Sequence, residues 1–409
     1  MSHKNIKANK LSRRISLLLL VFYGIGTIVG AGIYVLIGKV AATAGFYTPI
    51  AFILASILAG FSAFSYAELA ARFPRSAGEA IYIKEGFGIR GLSILVGLLI
   101  VLVGIVSTAT LAHGFAGYFN VFFDLPGGLV ITGLIMSAGI VCIWGIKQSV
   151  LIAAIMTVAE IMGLLIIIYA GRDAFAFFPE KLPEMLPPLD ASIWAGIFLG
   201  SFVGFYAYLG FEDIVNVAEE TIKPRVNIPR AIIISLVVTT LLYILISVVA
   251  VISVSPQELA ASDAPLAMLY ERTTGQPPLV ITFIGLVSVT NGVLIQMIMG
   301  SRVLYGMSRQ KWLPVKVGKI NAVTHTPINA TITVTSLVIL FALIFPLLSL
   351  AKITSFITLI IFMLINFALL KIKIVQKEHM GFTVPIWTPL VGGVSTLLFL
   401  FYLLLTLLI

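Results

Sequence analysis

Gly24-Ile25-Gly26-Thr27-Ile28-Val29-Gly30-Ala31-Gly32-Ile33-Tyr34 lies in the middle of the first long apolar segment. A segment this apolar reads as a membrane-spanning helix. Yet four glycines fall within nine residues here, and each costs roughly 1 kcal/mol of helix stability relative to Ala. Such a run is where a helix can open and present its own N–H and C=O groups. Bare backbone at membrane depth is tolerated only where it lines a protein cavity. The stretch therefore predicts a broken span facing a ligand.

The surrounding chain agrees. It has 409 residues, 60% of them hydrophobic and 11% charged, with a mean hydropathy of +1.11. Soluble domains carry about 25% charged residues, so the composition points to a polytopic membrane protein. Eleven segments reach the roughly 17–25 apolar residues that a spanning helix needs: 15–38, 47–71, 91–119, 127–145, 149–170, 192–217, 230–253, 277–307, 327–346, 349–370 and 385–409. The net charge of +9 sits in short loops between these segments rather than in a nucleic-acid-binding patch. With the N-terminus inside, 21 of the 26 Lys and Arg fall on inner segments and five on outer ones. That asymmetry follows the positive-inside rule. It places the N-terminal tail 1–14 in the cytoplasm and, with eleven spans, the C-terminus outside a multi-pass cell-membrane protein. A single cysteine, Cys142, excludes an intramolecular disulfide framework.

The sixth span repeats the anomaly of the first. Gly200-Ser201-Phe202-Val203-Gly204-Phe205-Tyr206-Ala207-Tyr208-Leu209-Gly210 is interrupted by glycines and followed by Glu212 and Asp213. Paired interruptions at corresponding positions are a pointer to a transporter site between inverted repeats. Close helix packing through small-xxx-small seams is the alternative for either span alone, and Gly26-x-x-x-Gly30 and Gly200-x-x-x-Gly204 both fit it. The Pro-rich outer segment 171–191 is the natural seam. It divides 15–170 (spans one to five) from 192–370 (spans six to ten), with 371–409 adding an inner loop and an eleventh span. A half-helix N-terminus suits a carboxylate, and a half-helix C-terminus suits an ammonium. A pocket flanked by both suits a zwitterion such as an α-amino acid.

These residues resemble the amino acid–polyamine–organocation (APC) superfamily of transporters. The matching pieces are Gly26–Tyr34 and Ser65–Gly78, then Phe205–Glu212, Ala218–Glu220 and Asn227–Ala231, and last Gly300–Arg309 and Thr326–Ala330. The resemblance implies an all-α LeuT-type fold of two inverted five-helix repeats, with the first and sixth helices broken, working by alternating access. It implies that the amides of Gly30, Ala31 and Gly32 meet the substrate carboxylate. Backbone carbonyls of Ile28, Tyr206, Ala207 and Leu209 would meet the ammonium, and Tyr206 would gate the site. Many relatives carry Ser where this chain has Ala31, so a hydroxyl contact to the carboxylate is missing.

Glu160 is a lone carboxyl near the centre of the fifth span, with no charged residue within ten positions. An ionisable group at mid-membrane is a functional hypothesis by default. In sodium-independent relatives a Lys stands at what looks like this position. Glu reverses the sign and suits a proton, or sodium, as coupling ion. Glu68 is expected to pair on the inner side with Arg72, four residues on. Glu219 and Glu220 read as part of a solvated inner loop. No His/Cys/Asp cluster has metal spacing and there is no P-loop or nucleophile motif, so neither an enzyme nor a cofactor is expected. The leading expectation is a proton-coupled amino acid importer. An amino acid or polyamine exchanger without net ion coupling is the alternative within the fold, and a non-transporting amino acid sensor or scaffold is the alternative outside it. A channel fits poorly, for want of a repeated polar span.

Overall fold

A computed structural model describes residues 11–120, 123–262, 264–345, 347–376 and 381–408. Helices occupy all eleven apolar segments. They are α1 (Leu17–Ala44), α2 (Thr48–Arg72), α4 (Arg90–Phe119), α5 (Gly127–Trp144), α6 (Ile146–Ala170), α8 (Ala191–Phe205), α9 (Pro224–Ser253), α12 (Leu279–Arg309), α13 (Ile328–Ile344), α14 (Leu347–Val375) and α15 (Trp387–Leu408). Among the described residues nine helices are long and apolar enough to cross a membrane, and the ninth and eleventh segments hold two shorter apolar ones.

Local chemistry sets many of the ends. The Ser16 hydroxyl caps α1 by accepting from the Leu19 amide, and the Asp190 carboxylate caps α8 by accepting from Ser192 and Ile193. Pro49 and Pro224 stand in the first turns of α2 and α9, where the missing N–H costs nothing. Four short helices lie between spans: α3 (Gly78–Phe87), α7 (Ala174–Met185), α10 (Pro256–Ala261) and α11 (Pro265–Thr274). Helix α7 lies in the segment expected as the seam between halves, with Pro179 and Pro183 inside it.

The first span is the central element. It packs against α6, α8, α9 and α12, while α2 lies along α9, α4 along α12 and α14 along α15. Several of its glycines make this approach possible. A β-carbon on Gly24 would lie 2.6 Å from the Ser235 hydroxyl, and one on Gly26 would collide with Thr157 and Asn291. On α8, a β-carbon at Gly200 would lie 2.7 Å from that of Ala44 in α1.

Glu68 is fully buried and takes both its expected partner and two others. Its carboxylate accepts from Arg72 at 2.6 and 2.9 Å, from Lys373 at 2.7 and 2.8 Å and from the Val384 amide at 2.8 Å. That cluster fastens α2 to the end of α14 and to the strand of chain entering α15.

Candidate functional site

Within α1 only Gly30 departs from helical geometry, at φ 15° and ψ −154°. The helix is therefore two half-helices that meet at this residue. The half beginning after Gly30 starts, as every helix does, with N–H groups that have no acceptor within the helix. Gly32 follows within that first turn. The side chain of Ala31 lies outside the described residues. Among the described residues a β-carbon placed on Gly30 meets nothing within 4 Å, so the break opens onto space.

The sixth span breaks by a different route. Helix α8 ends at Phe205 and a single tight turn covers Tyr206–Tyr208. Leu209 is then extended, and Gly210 takes φ +123° before a 3-10 segment runs from Phe211 to Glu220. A side chain at 210 would be strained by that φ, and its β-carbon would lie 2.6 Å from the Thr27 carbonyl oxygen. Glycine is required here because the two broken spans cross at this point. Further along the crossing, a β-carbon on Gly32 would lie 3.6 Å from the Ala207 α-carbon.

Ile28 and Ala207, expected to share one ligand group, do meet at one group. It is the hydroxyl of Tyr243 in α9, 2.9 Å from each carbonyl oxygen. A tyrosine has one proton to donate, so two carbonyls share a single donor. Tyr243 is wholly buried and packs against Tyr208 at 5.1 Å and Phe52 at 5.7 Å between ring centroids. Of the other expected carbonyls, that of Tyr206 accepts from the Leu209 amide at 3.3 Å. The Tyr206 ring is half-buried, edge-on to Phe202 at 5.5 Å.

Glu160 sits beside the same break. Its Oε1 accepts from the Asn291 side chain at 2.8 Å, and the same amide nitrogen donates to Thr157 at 3.0 Å. The Tyr34 hydroxyl reaches the Glu160 backbone carbonyl at 3.4 Å. Gly26, against Thr157 and Asn291, and Tyr34 lie four residues either side of Gly30. The carboxyl is 0% exposed, and among the described residues its Oε2 and the Asn291 carbonyl oxygen have no hydrogen-bond partner.

Beyond the crossing lies a cavity of about 140 Å³ lined from α1, α2, α3, α4, α12 and α14 and by the opened part of the sixth span. Thr27, Leu209 and Gly210 border it on the side of the breaks, and Glu79, Glu212, Asp213 and Gln296 supply its polar wall. Tyr206 is not among its lining residues.

Residues 15–409 match the family profile described as amino acid permease. The chain belongs to that family. The permease is 28% identical to cationic amino acid transporter 3, mitochondrial, of Arabidopsis thaliana, over 92% of this chain and 67% of the relative. It is 28% identical to the branched-chain amino acid permease BcaP of Bacillus subtilis (strain 168), over 96% of this chain and 88% of the relative. The methylthioribose transporter of the same bacterium is 27% identical, over 80% of this chain and 73% of its own length. The chain spans between 61% and 67% of the length of the Arabidopsis cationic amino acid transporters it matches. Family and fold together make it a multi-pass membrane protein of amino acid transport.

The permease differs from the expectation for Glu219 and Glu220. Glu220 is not part of a solvated loop but 0% exposed, held by the equally buried Arg302 of α12 through two bonds of 3.1 and 3.2 Å. Glu219 accepts from the Ser76 amide at 3.3 Å and the Tyr305 hydroxyl at 3.1 Å. Backbone amides of Arg14 and Ile15 both donate to the Glu220 carbonyl, at 2.8 and 3.0 Å, and Ile222 donates back to Ile15 at 2.9 Å. The run Ala218-Glu219-Glu220 looked solvated because it is polar and next to a basic loop. Its true surroundings depend on Arg302, 82 residues away in sequence. Tyr243 and Glu79 were also not singled out from sequence. Tyr243 did carry a signal, as a hydroxyl deep in an apolar span that must find a partner.

Proposed function

We propose that the permease is a secondary active importer of α-amino acids that works by alternating access and is driven by protons. One observation carries the reading: two half-broken spans cross at their breaks, one offering helix N–H groups and the other helix carbonyls. A carboxylate fits the amides of Gly30, Ala31 and Gly32, where the partial positive charge of a helix start is concentrated. An ammonium fits the carbonyls of Ile28 and Ala207, with those of Tyr206 and Leu209 nearby and the Tyr206 ring as gate. Residues 15–170 and 192–370 are the two inverted repeats of this proposal, rocking about the crossing. Glu160, flanking the first-span break and with one oxygen unpartnered, is the proton site. Protonation there changes the charge beside Gly30 and so biases the two halves.

The test is uptake of radiolabelled amino acids into proteoliposomes under an inward proton gradient. Accumulation that collapses with an uncoupler is the expected outcome. Uptake that needs internal amino acid and ignores the gradient would replace symport by exchange, and binding without flux would leave a sensor.

Tyr243→Phe probes the ammonium side. It leaves two buried carbonyls without their donor, which is expected to cost about 1–3 kcal/mol of stability. A substrate ammonium restores that donor, so saturating amino acid is expected to raise the melting temperature more in the variant than in the parent. An equal or smaller rise would remove Ile28 and Ala207 from the ammonium site.

A further inference from the structure

Three carboxyl groups face the cavity beyond the crossing, and among the described residues that line it there is no Lys or Arg. Among the described residues each carboxyl is held only by neutral donors. Asp213 accepts from the Gln296 amide at 2.7 Å, Glu212 from the Gly210 amide at 2.8 Å and Glu79 from the Asn216 amide at 3.3 Å. None of the three takes part in an ion pair among the described residues, whereas Glu68 and Glu220 each have a cation. Among the described residues the second Glu79 oxygen has no hydrogen-bond partner although the side chain is 1% exposed, and the Tyr66 hydroxyl on the same wall is likewise unpartnered at 0%. Buried polar groups in native proteins are almost always satisfied, and each exception calls for an explanation.

Resting on the amino acid reading above, we propose that this cavity takes the side chain of the substrate and that the side chain is cationic. Glu79 and Asp213, with Glu212 behind them, recognise its terminal amine or guanidinium. The position follows from the lining: Thr27, Leu209 and Gly210 belong both to the crossing, where the zwitterion sits, and to the cavity wall. A side chain leaving the zwitterion therefore runs directly into the acidic wall. Buried carboxyls without a counter-charge are costly, and a positive group removes that cost. Burial pushes Glu79 up to about 8 against the opposing Asn216 bond. A positive group beside it favours its ionised form. A metal ion fits less well, because among the described residues no group of three His, Cys, Asp or Glu is placed to hold one. The apolar part of the wall, Ile100, Val103, Met299, Ile361 and Phe362, suits the methylenes of such a side chain.

Lysine and norleucine make the test, since they share a four-carbon chain and differ by the terminal amine. In proteoliposomes of the full chain, lysine is expected to compete for uptake at least roughly tenfold better than norleucine, because a site built for a polar group rejects the analogue lacking it. Glu79→Gln and Asp213→Asn are each expected to lower that lysine-to-norleucine preference about tenfold, with thermal stabilisation of the unmodified protein by each ligand as a second measure of the preference. Norleucine equal to or better than lysine overturns the proposal, as does a preference unchanged in both variants. Cadaverine, which is lysine without its carboxylate, separates the two readings. If cadaverine binds as well as lysine, the acidic tail site stands and the carboxylate cradle at Gly30–Gly32 falls. If neither amino acid binds, the amino acid reading falls and this proposal with it.

Discussion

Arg302→Ala, made alone, is expected to destabilise the permease by about 3–5 kcal/mol, because it strands the Glu220 carboxylate without water or counter-charge. Both groups are 0% exposed and joined by two bonds, so neither solvent nor a second cation replaces the lost partner. The Ser301 hydroxyl, 2.9 Å from the guanidinium, also loses its donor. Replacing both residues by apolar ones of similar size is expected to recover most of that loss, since exchanging a whole buried pair is often neutral. Thermal unfolding of the single and double variants in detergent checks both statements. A single variant as stable as the parent, or a double variant no better than the single, would show that the pair does not fasten the sixth span to α12.

Glu160→Gln has the largest expected effect on activity. Gln keeps an oxygen that can accept from Asn291, so the fold and the neighbouring break are preserved while the titrating group is lost. A pH difference of two units carries about 2.7 kcal/mol per proton, enough to drive a roughly hundredfold accumulation. In the variant, accumulation is expected to fall to the equilibrium level, with exchange of internal for external amino acid continuing. An unchanged dependence of uptake on external pH would sink the coupling role of Glu160.

Much of this architecture could be read from local patterns. Eleven apolar segments, each long enough to span, became eleven helices because composition alone decides what lipid will accept. The glycine runs were read in two ways, as breaks and as packing seams, and the structure divides the residues between them. Gly30 and Gly210 break their spans, whereas Gly24, Gly26 and Gly200 admit a neighbour. Spacing could not make that division, since it depends on which face of each helix meets which partner. The same limit hid Tyr243 and Glu79. Each reaches the site across the bundle, Tyr243 from the seventh span and Glu79 from the short helix α3. Glu160, by contrast, stood out from sequence because an isolated charge in an apolar span is costly wherever it points.

The three backbone bonds between Arg14–Ile15 and Glu220–Ile222 have a mechanical consequence. They make the segment ahead of the first span a tether on the lower half of the sixth. If the sixth span swings during transport, that seam must part or travel with it. Force, modification or a fused domain acting on residues before Arg14 would then be felt as a change in the speed of that swing, with affinity for the substrate left as it was.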